Sequence, residues 1–228
     1  MNIIAVIPAR GNSKRIVNKN LLKINNQYIL EILYQNLKSM NIFQNIILST
    51  DSLKIKKLAK KIGYDLVINR PKSLSNDNST TNAVVTHSID ILKKKIKFTH
   101  VCCVYPMAIL FKKRDLINAK KIMKGDNEIV FPALKYSHPI QRAFRIKKDS
   151  KIKYKLSKKN LSKKTQYFSD YYHDAGQFYL GHVSAWKNYS SSKKKCIKLP
   201  LIRAIDVDNY EEFELLKSKF FYIKNKII

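Results

Sequence analysis

Residues 10–20 contain several cationic residues interspersed with small polar residues, a combination that is typical of a loop that binds a polyphosphate. Gly11 and Asn12 tolerate a left-handed backbone, so a tight turn there can direct several N–H groups inward. Cations in the same stretch would neutralise the negative charge of phosphate groups. The residues that carry this pattern are Arg10, Gly11, Asn12, Ser13, Lys14, Arg15, Lys19 and Asn20. The sequence therefore predicts a phosphate-binding loop.

This stretch departs from two widespread nucleotide-binding motifs. It lacks the Gly-Lys-Ser/Thr of a Walker A loop, and Gly11 alone does not make a G-x-G-x-x-G fingerprint. A solvated basic loop is the alternative interpretation, because the chain is rich in lysine. That alternative leaves unexplained why Arg10 and Arg15, two of the few arginines, fall here and why Pro-Ala-Arg-Gly follows an apolar run.

Two carboxylates near the carboxyl terminus form a second candidate group. Asp206 and Asp208 are separated by one residue, so in an extended segment both side chains point to the same side of the backbone. Carboxylate oxygens at this spacing can hold a hard cation such as Mg²⁺, with water completing its shell. The alternative is that Asp208 caps the last helix, which would leave Asp206 unexplained.

Alternating strand and helix patterns must position these residues. The run 3–8 is apolar and β-branched, which is typical of a buried parallel strand, and it stops at Pro8 before the predicted loop. The run 100–106 also ends at a proline, so two loops emerge where open α/β sheets form ligand crevices. Further strands are predicted at 46–51, 65–68, 128–134 and 177–180, and helices at 25–40, 52–63, 114–124 and 207–226, with another that buries Val84, Val85, Ile89 and Leu92. This order predicts an α/β fold with a mainly parallel sheet.

The chain is predicted to form a single domain, 1–228, with one insertion. From about 136 to 172, short alternating segments are separated by lysine runs, which is typical of a hairpin lobe outside the main sheet. Within this lobe, 157–165 is expected to be disordered, because it is polar and lysine-rich.

Composition bounds the partners and the compartment. A formal net charge of +29 by itself favours a nucleic-acid partner. Most of the cations are lysines scattered over helix faces and loops, which indicates a compositional bias and not a binding surface. No apolar run could span a bilayer and no secretory signal opens the chain, so a cytoplasmic protein without a membrane partner is expected. Cys102 and Cys103 lie in an apolar run and are expected to be buried thiols, and Cys196 makes the number of cysteines odd.

The predicted phosphate-binding loop resembles the nucleotide-binding loop of the acylneuraminate cytidylyltransferases, which activate nonulosonic acids as CMP-sugars. The residues that carry the resemblance are Pro8-Ala9-Arg10-Gly11-Asn12-Ser13-Lys14-Arg15, followed by Lys19-Asn20. The resemblance extends from about 3 to 213 and implies a three-layer, Rossmann-like nucleotide-diphospho-sugar transferase fold. It also implies transfer of CMP from CTP to a nonulosonic acid, release of pyrophosphate, and a homodimer formed through the inserted lobe.

The resemblance assigns a role to each matching residue. It implies that cations neutralise the phosphates and that the Asp pair binds Mg²⁺, and this catalytic set is Arg10, Lys14, Lys19, Asp206 and Asp208. The residues implied to bind CTP, with the last two near the cytidine, are Arg10, Gly11, Asn12, Ser13, Asn20, Arg70 and Thr81. No side chain is identified as a general base.

Two further segments resemble the branch of this family that acts on pseudaminic acid. They are Ser137-His138-Pro139-Ile140-Gln141-Arg142-Ala143 and His173-Asp174-Ala175-Gly176-Gln177-Phe178, and at the second the sialic-acid branch more typically has Asn-Gly. The sugar-contacting residues that this implies are Tyr105, His138, Gln141, Arg142, His173, Asp174 and Gln177. The turn at 107–110 and Lys164 depart from the family pattern, which has small hydroxyl-bearing residues and an arginine there.

Three alternatives remain open at this point. Within the same class, the product is CMP-N-acetylneuraminic acid or CMP-legionaminic acid. In a different class, the chain is a basic nucleic-acid-binding protein, which the aromatic residues among cations at 164–168 favour. The third is a non-catalytic relative that has lost the sugar site, against which the intact loop and Asp pair argue.

Overall fold

Six α-helices and twelve strands alternate along residues 1–154 and 162–225, the part of the chain that the computed structural model describes. The strands are β1 (Ile3–Pro8), β2 (Lys23–Ile24), β3 (Gln27–Tyr28), β4 (Phe43–Thr50), β5 (Leu66–Asn69), β6 (His100–Val104), β7 (Glu128–Lys135), β8 (Phe144–Ile146), β9 (Ile152–Tyr154), β10 (Tyr172–Asp174), β11 (Phe178–His182) and β12 (Lys193–Lys198). The helices are α1 (Ile29–Met40), α2 (Leu53–Ile62), α3 (Thr81–Leu92), α4 (Lys113–Ile122), α5 (Val183–Lys187) and α6 (Tyr210–Asn225). Most of the segment 157–165, expected to be disordered, lies outside the described residues.

The main sheet is built around β1. Its strand order is β10-β7-β11-β6-β1-β4-β5, and β12 pairs with β7. β1 runs parallel to both β4 and β6, and β4 runs parallel to β5. β11 is antiparallel to β6 and β7, so it separates two strands of the same direction. The prediction of a mainly parallel sheet is confirmed.

The side chains of β1 alternate between two apolar cores, which produces three layers. Ile3, Ala5 and Ile7 pack in a core with residues of α1, α2, α4 and α6. Ile4 and Val6 pack on the opposite face in a core with residues of α3 and α5. Because successive strand residues point to opposite faces, a continuous apolar run is what a strand covered on both faces requires.

Several elements differ from the sequence prediction. α1 begins at Ile29 and not at 25, because Asn25 and Asn26 have φ of 47° and 63° and form the tight turn between β2 and β3. The last helix begins at Tyr210 and not at 207, since the Asn209 side chain accepts a hydrogen bond from the Glu212 N–H at 2.9 Å and so caps the helix there. β12 and α5 were not predicted: β12 is mostly lysine and depends on pairing with β7, and α5 is too short to show a periodic pattern.

The insertion forms a structure of its own. β8 and β9 pair antiparallel in a separate two-stranded sheet, which confirms the predicted hairpin. Its large apolar side chains Phe144, Ile146 and Ile152 are exposed. β10 then returns the chain to the main sheet by pairing with β7. None of the described helices combines the length and apolar character needed to cross a membrane.

Candidate active site

A cavity of about 400 Å³ lies where β1 and β6 end. These strands are parallel neighbours, with Val6 opposite Cys103, so the loops that follow them emerge side by side. The structure brings many of the predicted site residues into the wall of this cavity: Arg10, Ser13, Lys14, Lys19, Asn20, Thr81, Tyr105, Asp206 and Asp208. The phosphate-binding loop and the Asp pair, far apart in sequence, therefore share one site.

Hydrogen bonds between side chains and the backbone stabilise the phosphate-binding loop. The buried Asn20 side chain donates a hydrogen bond of 2.9 Å to the carbonyl of Arg10, which ties the two ends of the loop together. The Gly11 N–H donates to Asp51 Oδ1 at 2.8 Å. A Cβ on Gly11 would lie 2.9 Å from the Cβ of Ser52, so only glycine fits against the start of α2.

Asp77, an acidic residue that was not predicted to belong to the site, pairs with two cations of the phosphate-binding loop. Asp77 Oδ1 accepts a hydrogen bond from Arg10 at 2.8 Å, and its Oδ2 lies 2.6 Å from Lys14 Nζ. Hydrogen bonds from Lys14 and Arg10 lower the pKa of Asp77. The Asp77 carboxylate therefore lies between two cations, and an anionic phosphate group would be attracted to the same position. The signal in the sequence was a single acid in the polar segment before α3.

Lys19 connects the loop to the Asp pair. Its ammonium donates to the carbonyl of Val207 and lies 3.7 Å from Asp208 Oδ1. Arg15 donates to Asp208 Oδ2 at 2.8 Å. Burial lowers the pKa of Lys19, although the charge of Asp208 opposes this shift. Burial is the main cause that raises the pKa of Asp206, and the negative charge of Asp208 raises it further. The negative charge of Asp208 therefore disfavours ionisation of Asp206, and the ion pairs with Arg15 and Lys19 are both made by Asp208 and not by Asp206.

The Asp pair has the donor chemistry for Mg²⁺. Gly176 has φ of 59°, and a Cβ there would lie 2.9 Å from Asp206 Cγ, so only glycine allows the backbone to approach the Asp206 carboxylate this closely. Among the described residues, no group of three or more histidine, cysteine or acidic side chains is arranged to hold a metal. An ion bound by Asp206 and Asp208 would take its remaining oxygen ligands from substrate and water, as Mg²⁺ commonly does.

A second cavity of about 220 Å³ shares Arg10, Thr81 and Tyr105 with the first and adds Arg70. Arg70 is buried and donates to the carbonyl of Ser49 at 3.0 Å, and burial lowers its pKa. Thr81 Oγ1 and the Tyr105 hydroxyl are hydrogen-bonded at 2.8 Å. This cavity extends the site away from the Asp pair.

Thr81 and Tyr105 also line a third cavity of about 340 Å³. Asp174 reaches it and is held by two hydrogen bonds, from the Tyr179 hydroxyl at 2.6 Å and from the Gly176 N–H at 2.9 Å. Burial raises the pKa of Tyr105 to about 12, so its hydroxyl stays protonated at neutral pH. Apart from Tyr105, the aromatic residues of this cavity were not predicted, because nothing in their spacing marks a site: Tyr179, Trp186 and Tyr189.

The other predicted sugar-contacting residues do not line these three cavities. His138, Gln141 and Arg142 lie in the insertion, where Arg142 donates to the carbonyl of Lys163 at 2.7 Å. His173 is exposed on β10. Gln177 is buried, with only 1% of its surface exposed. Of the seven predicted sugar-contacting residues, only Tyr105 and Asp174 therefore line any of the three cavities within one copy of the chain.

Comparisons with known proteins agree with this architecture. The family model described as cytidylyltransferase matches residues 4–227. The chain is 33% identical over 226 residues to a pseudaminic acid cytidylyltransferase of Campylobacter jejuni, and the match covers 95% of each chain. It is 28% identical to a Helicobacter pylori protein named pseudaminic acid cytidylyltransferase and UDP-2,4-diacetamido-2,4,6-trideoxy-beta-L-altropyranose hydrolase, covering 96% of this chain and 43% of that protein.

The fold is shared with solved structures of low sequence identity. A CMP:2-keto-3-deoxy-manno-octonic acid synthetase complexed with CTP superposes with a TM-score of 0.70 at 15% identity, covering 97% of this chain and 99% of the other. A 4-diphosphocytidyl-2C-methyl-D-erythritol synthase superposes with a TM-score of 0.67 at 12% identity. The expected Rossmann-like nucleotidyltransferase fold is therefore confirmed.

Proposed function

The chain belongs to the cytidylyltransferase family, and we propose that it transfers CMP from CTP to a nonulosonic acid, with pseudaminic acid as the preferred sugar. The observation that carries this proposal is that the phosphate-binding loop and the pair Asp206 and Asp208 line the same cavity. The choice of sugar rests on the relatives named for pseudaminic acid, which match nearly the whole chain. The reaction is placed in the cytoplasm, where CTP is available.

The bond changes define what the site must do. The anomeric hydroxyl of the sugar attacks the α-phosphorus of CTP, its proton is lost, and the bond from the α-phosphorus to the bridging oxygen breaks. Pyrophosphate leaves with the negative charge. Such a transfer needs alignment of the reactants and neutralisation of charge more than covalent help. Arg10, Lys14 and Lys19, which line the cavity together, are proposed to neutralise the phosphates and the departing pyrophosphate.

Asp206 and Asp208 are proposed to hold Mg²⁺. When bound, the ion neutralises phosphate charge and lowers the pKa of an oxygen ligand. The chain's own contribution is the shape of the carboxylate pair: Lys19 anchors Val207 between the two acids, and Arg15 orients Asp208. Because burial and mutual repulsion raise the pKa of Asp206, an ion there would favour its ionised form.

Substrate positions follow from the neighbouring cavities. The cytidine is proposed to occupy the cavity beside Arg70, with Asn20 and Thr81 close to the nucleotide. The sugar is proposed to extend toward Tyr105 and Asp174 in the third cavity.

A homodimer that covers the exposed apolar side chains of the β8–β9 hairpin is also proposed, since contiguous apolar surface commonly marks an interface.

Incubation with CTP, Mg²⁺ and a panel of nonulosonic acids tests the proposal. Mass spectrometry should detect a CMP-sugar and an equal amount of pyrophosphate, with pseudaminic acid outcompeting N-acetylneuraminic acid at equal concentration. UTP and ATP should give far less product. The Asp206→Asn variant serves as the inactive control. A mixture dominated by CMP-N-acetylneuraminic or CMP-legionaminic acid would overturn the sugar assignment, and absence of any CMP-sugar would overturn the reaction.

A further inference from the structure

We propose that Gln177 is a positioning residue that sets the Asp-pair segment, defined here as residues 201–208, and that its side chain does not contact the sugar. This inference rests on the proposed function, because it concerns the segment that carries Asp206 and Asp208. It replaces the expectation from sequence that Gln177 lines the sugar site.

The Gln177 side-chain nitrogen is hydrogen-bonded to backbone carbonyls, and its two N–H groups are shared among three of them. Its Nε2 donates to the carbonyl of Ala175 at 2.8 Å, of Gly176 at 3.2 Å and of Ile205 at 3.0 Å. The opposite amide orientation would direct Oε1 at three acceptors, so the contacts themselves determine which atom is the nitrogen. With 1% of the residue exposed, the side chain has no open face for a sugar hydroxyl.

The bond to Ile205 joins two parts of the site that are distant in sequence. Ile205 directly precedes Asp206, and Gly176 directly precedes Gln177 and packs against the Asp206 carboxylate. The backbone carbonyl of Gln177 also accepts a hydrogen bond from the Tyr105 N–H at 2.9 Å. Gln177 therefore links the end of β6, the Gly176 turn and the first metal-binding acid through one residue.

The upstream half of the Asp-pair segment is held separately. Arg203 and Asp115 form a buried ion pair that joins the segment to α4. Lys219 of α6 donates to the carbonyls of Leu201 at 2.6 Å and of Ala204 at 2.9 Å. The hydrogen bond from Gln177 is a separate contact farther along the segment, at Ile205, the residue next to Asp206. Its removal should therefore move the acid pair without releasing the whole segment.

Outer-shell groups that orient metal ligands typically change metal affinity or activity by about 10–100-fold when they are removed. Gln177→Met keeps the length of the side chain and removes its N–H donors. We expect this variant to bind Mn²⁺, used as a paramagnetic substitute for Mg²⁺, about 10–100-fold more weakly in the presence of a non-hydrolysable CTP analogue. kcat should fall by a similar factor, and KM for the sugar at saturating Mg²⁺ should stay within about twofold.

Electron paramagnetic resonance titration of Mn²⁺ supplies a readout that does not depend on turnover. Gln44→Met, an exposed residue of β4, is the matched control and should leave metal affinity unchanged. Gln177→Asn retains the amide but shortens its reach, so it should bind Mn²⁺ less tightly than the wild type and more tightly than Gln177→Met. Thermal melting and far-UV circular dichroism check that each variant is folded.

The outcomes separate the alternatives. A raised KM for the sugar with unchanged Mn²⁺ affinity would establish a sugar contact and overturn the inference. Loss of the folded state in both Gln177 variants would overturn it too, because the residue would then hold the fold as a whole. A wild-type protein that binds Mn²⁺ and CTP but makes no CMP-sugar would instead refute the proposed function and leave the Gln177 comparison interpretable.

Discussion

Replacing Lys19 by alanine removes the cation that connects the phosphate-binding loop to the Asp pair. In the wild-type structure, the ammonium donates to the Val207 carbonyl and lies 3.7 Å from Asp208 Oδ1. It also faces the cavity in which the phosphates are proposed to lie. The change therefore removes a preorganised positive charge from the position where negative charge is proposed to develop.

The expected loss of rate is much larger than the expected loss of stability. Removing one preorganised donor from a charge-stabilising site typically lowers kcat by about 10²–10³, equivalent to about 2.7–4 kcal/mol of barrier. A hydrogen bond from a charged donor stabilises a fold by about 1.5–3 kcal/mol, but burial of the Lys19 charge opposes this gain. We expect a net loss of about 1 kcal/mol, which corresponds to about 2–4 °C in Tm for a chain of this length.

Steady-state kinetics and differential scanning fluorimetry measure the two quantities separately. Lys54→Ala, on the exposed face of α2, is the matched control and should leave both kcat and Tm unchanged. A Lys19→Ala enzyme with kcat within threefold of the wild type would refute the phosphate role. A fall of Tm well beyond about 4 °C would show that Lys19 mainly holds the segment in place.

Three further predictions address the metal, the loop and pH. Asp206→Ala and Asp208→Ala should stay folded but lose most Mg²⁺-dependent activity, and near-normal rates across a Mg²⁺ titration would contradict the metal role. Asp77→Asn should tighten binding of inorganic triphosphate, measured by isothermal titration calorimetry, because the carboxylate competes with phosphate for Arg10 and its neighbouring lysine; unchanged or weaker binding would refute this competition. Burial lowers the pKa of His100 to about 4. Since this folded-state pKa lies below the unfolded value of about 6.5, neutral His100 contributes stability above pH 6.5 that is lost as the pH falls toward 4. Urea unfolding should therefore show a steeper decline between these pH values in the wild type than in His100→Gln, and parallel curves would exclude the effect.

Local patterns were sufficient for the elements whose determinants are close together in sequence. The run 3–8 had to be a strand covered on both faces, because it is apolar at every position. Ser52 and Gly63 mark the ends of α2, where Ser52 accepts a hydrogen bond from the Ile55 N–H and Gly63 has φ of 99°. The start of α1 was missed because two consecutive asparagines adopted a turn that helical periodicity alone does not exclude.

The sequence by itself predicted a basic loop at 10–20 and determined the spacing of Asp206 and Asp208 and the α/β class, since each depends on residues within a short stretch of chain. Only the tertiary structure decided that Gln177 bonds to Ile205, 28 residues away, and that Arg203 pairs with Asp115, 88 residues away. Gln177 was predicted to contact the sugar from its neighbours in sequence, and nothing in the sequence near Arg203 indicates its partner. Both side chains are buried in the folded chain, and a buried donor must bond to whichever carbonyl or carboxylate the fold brings next to it.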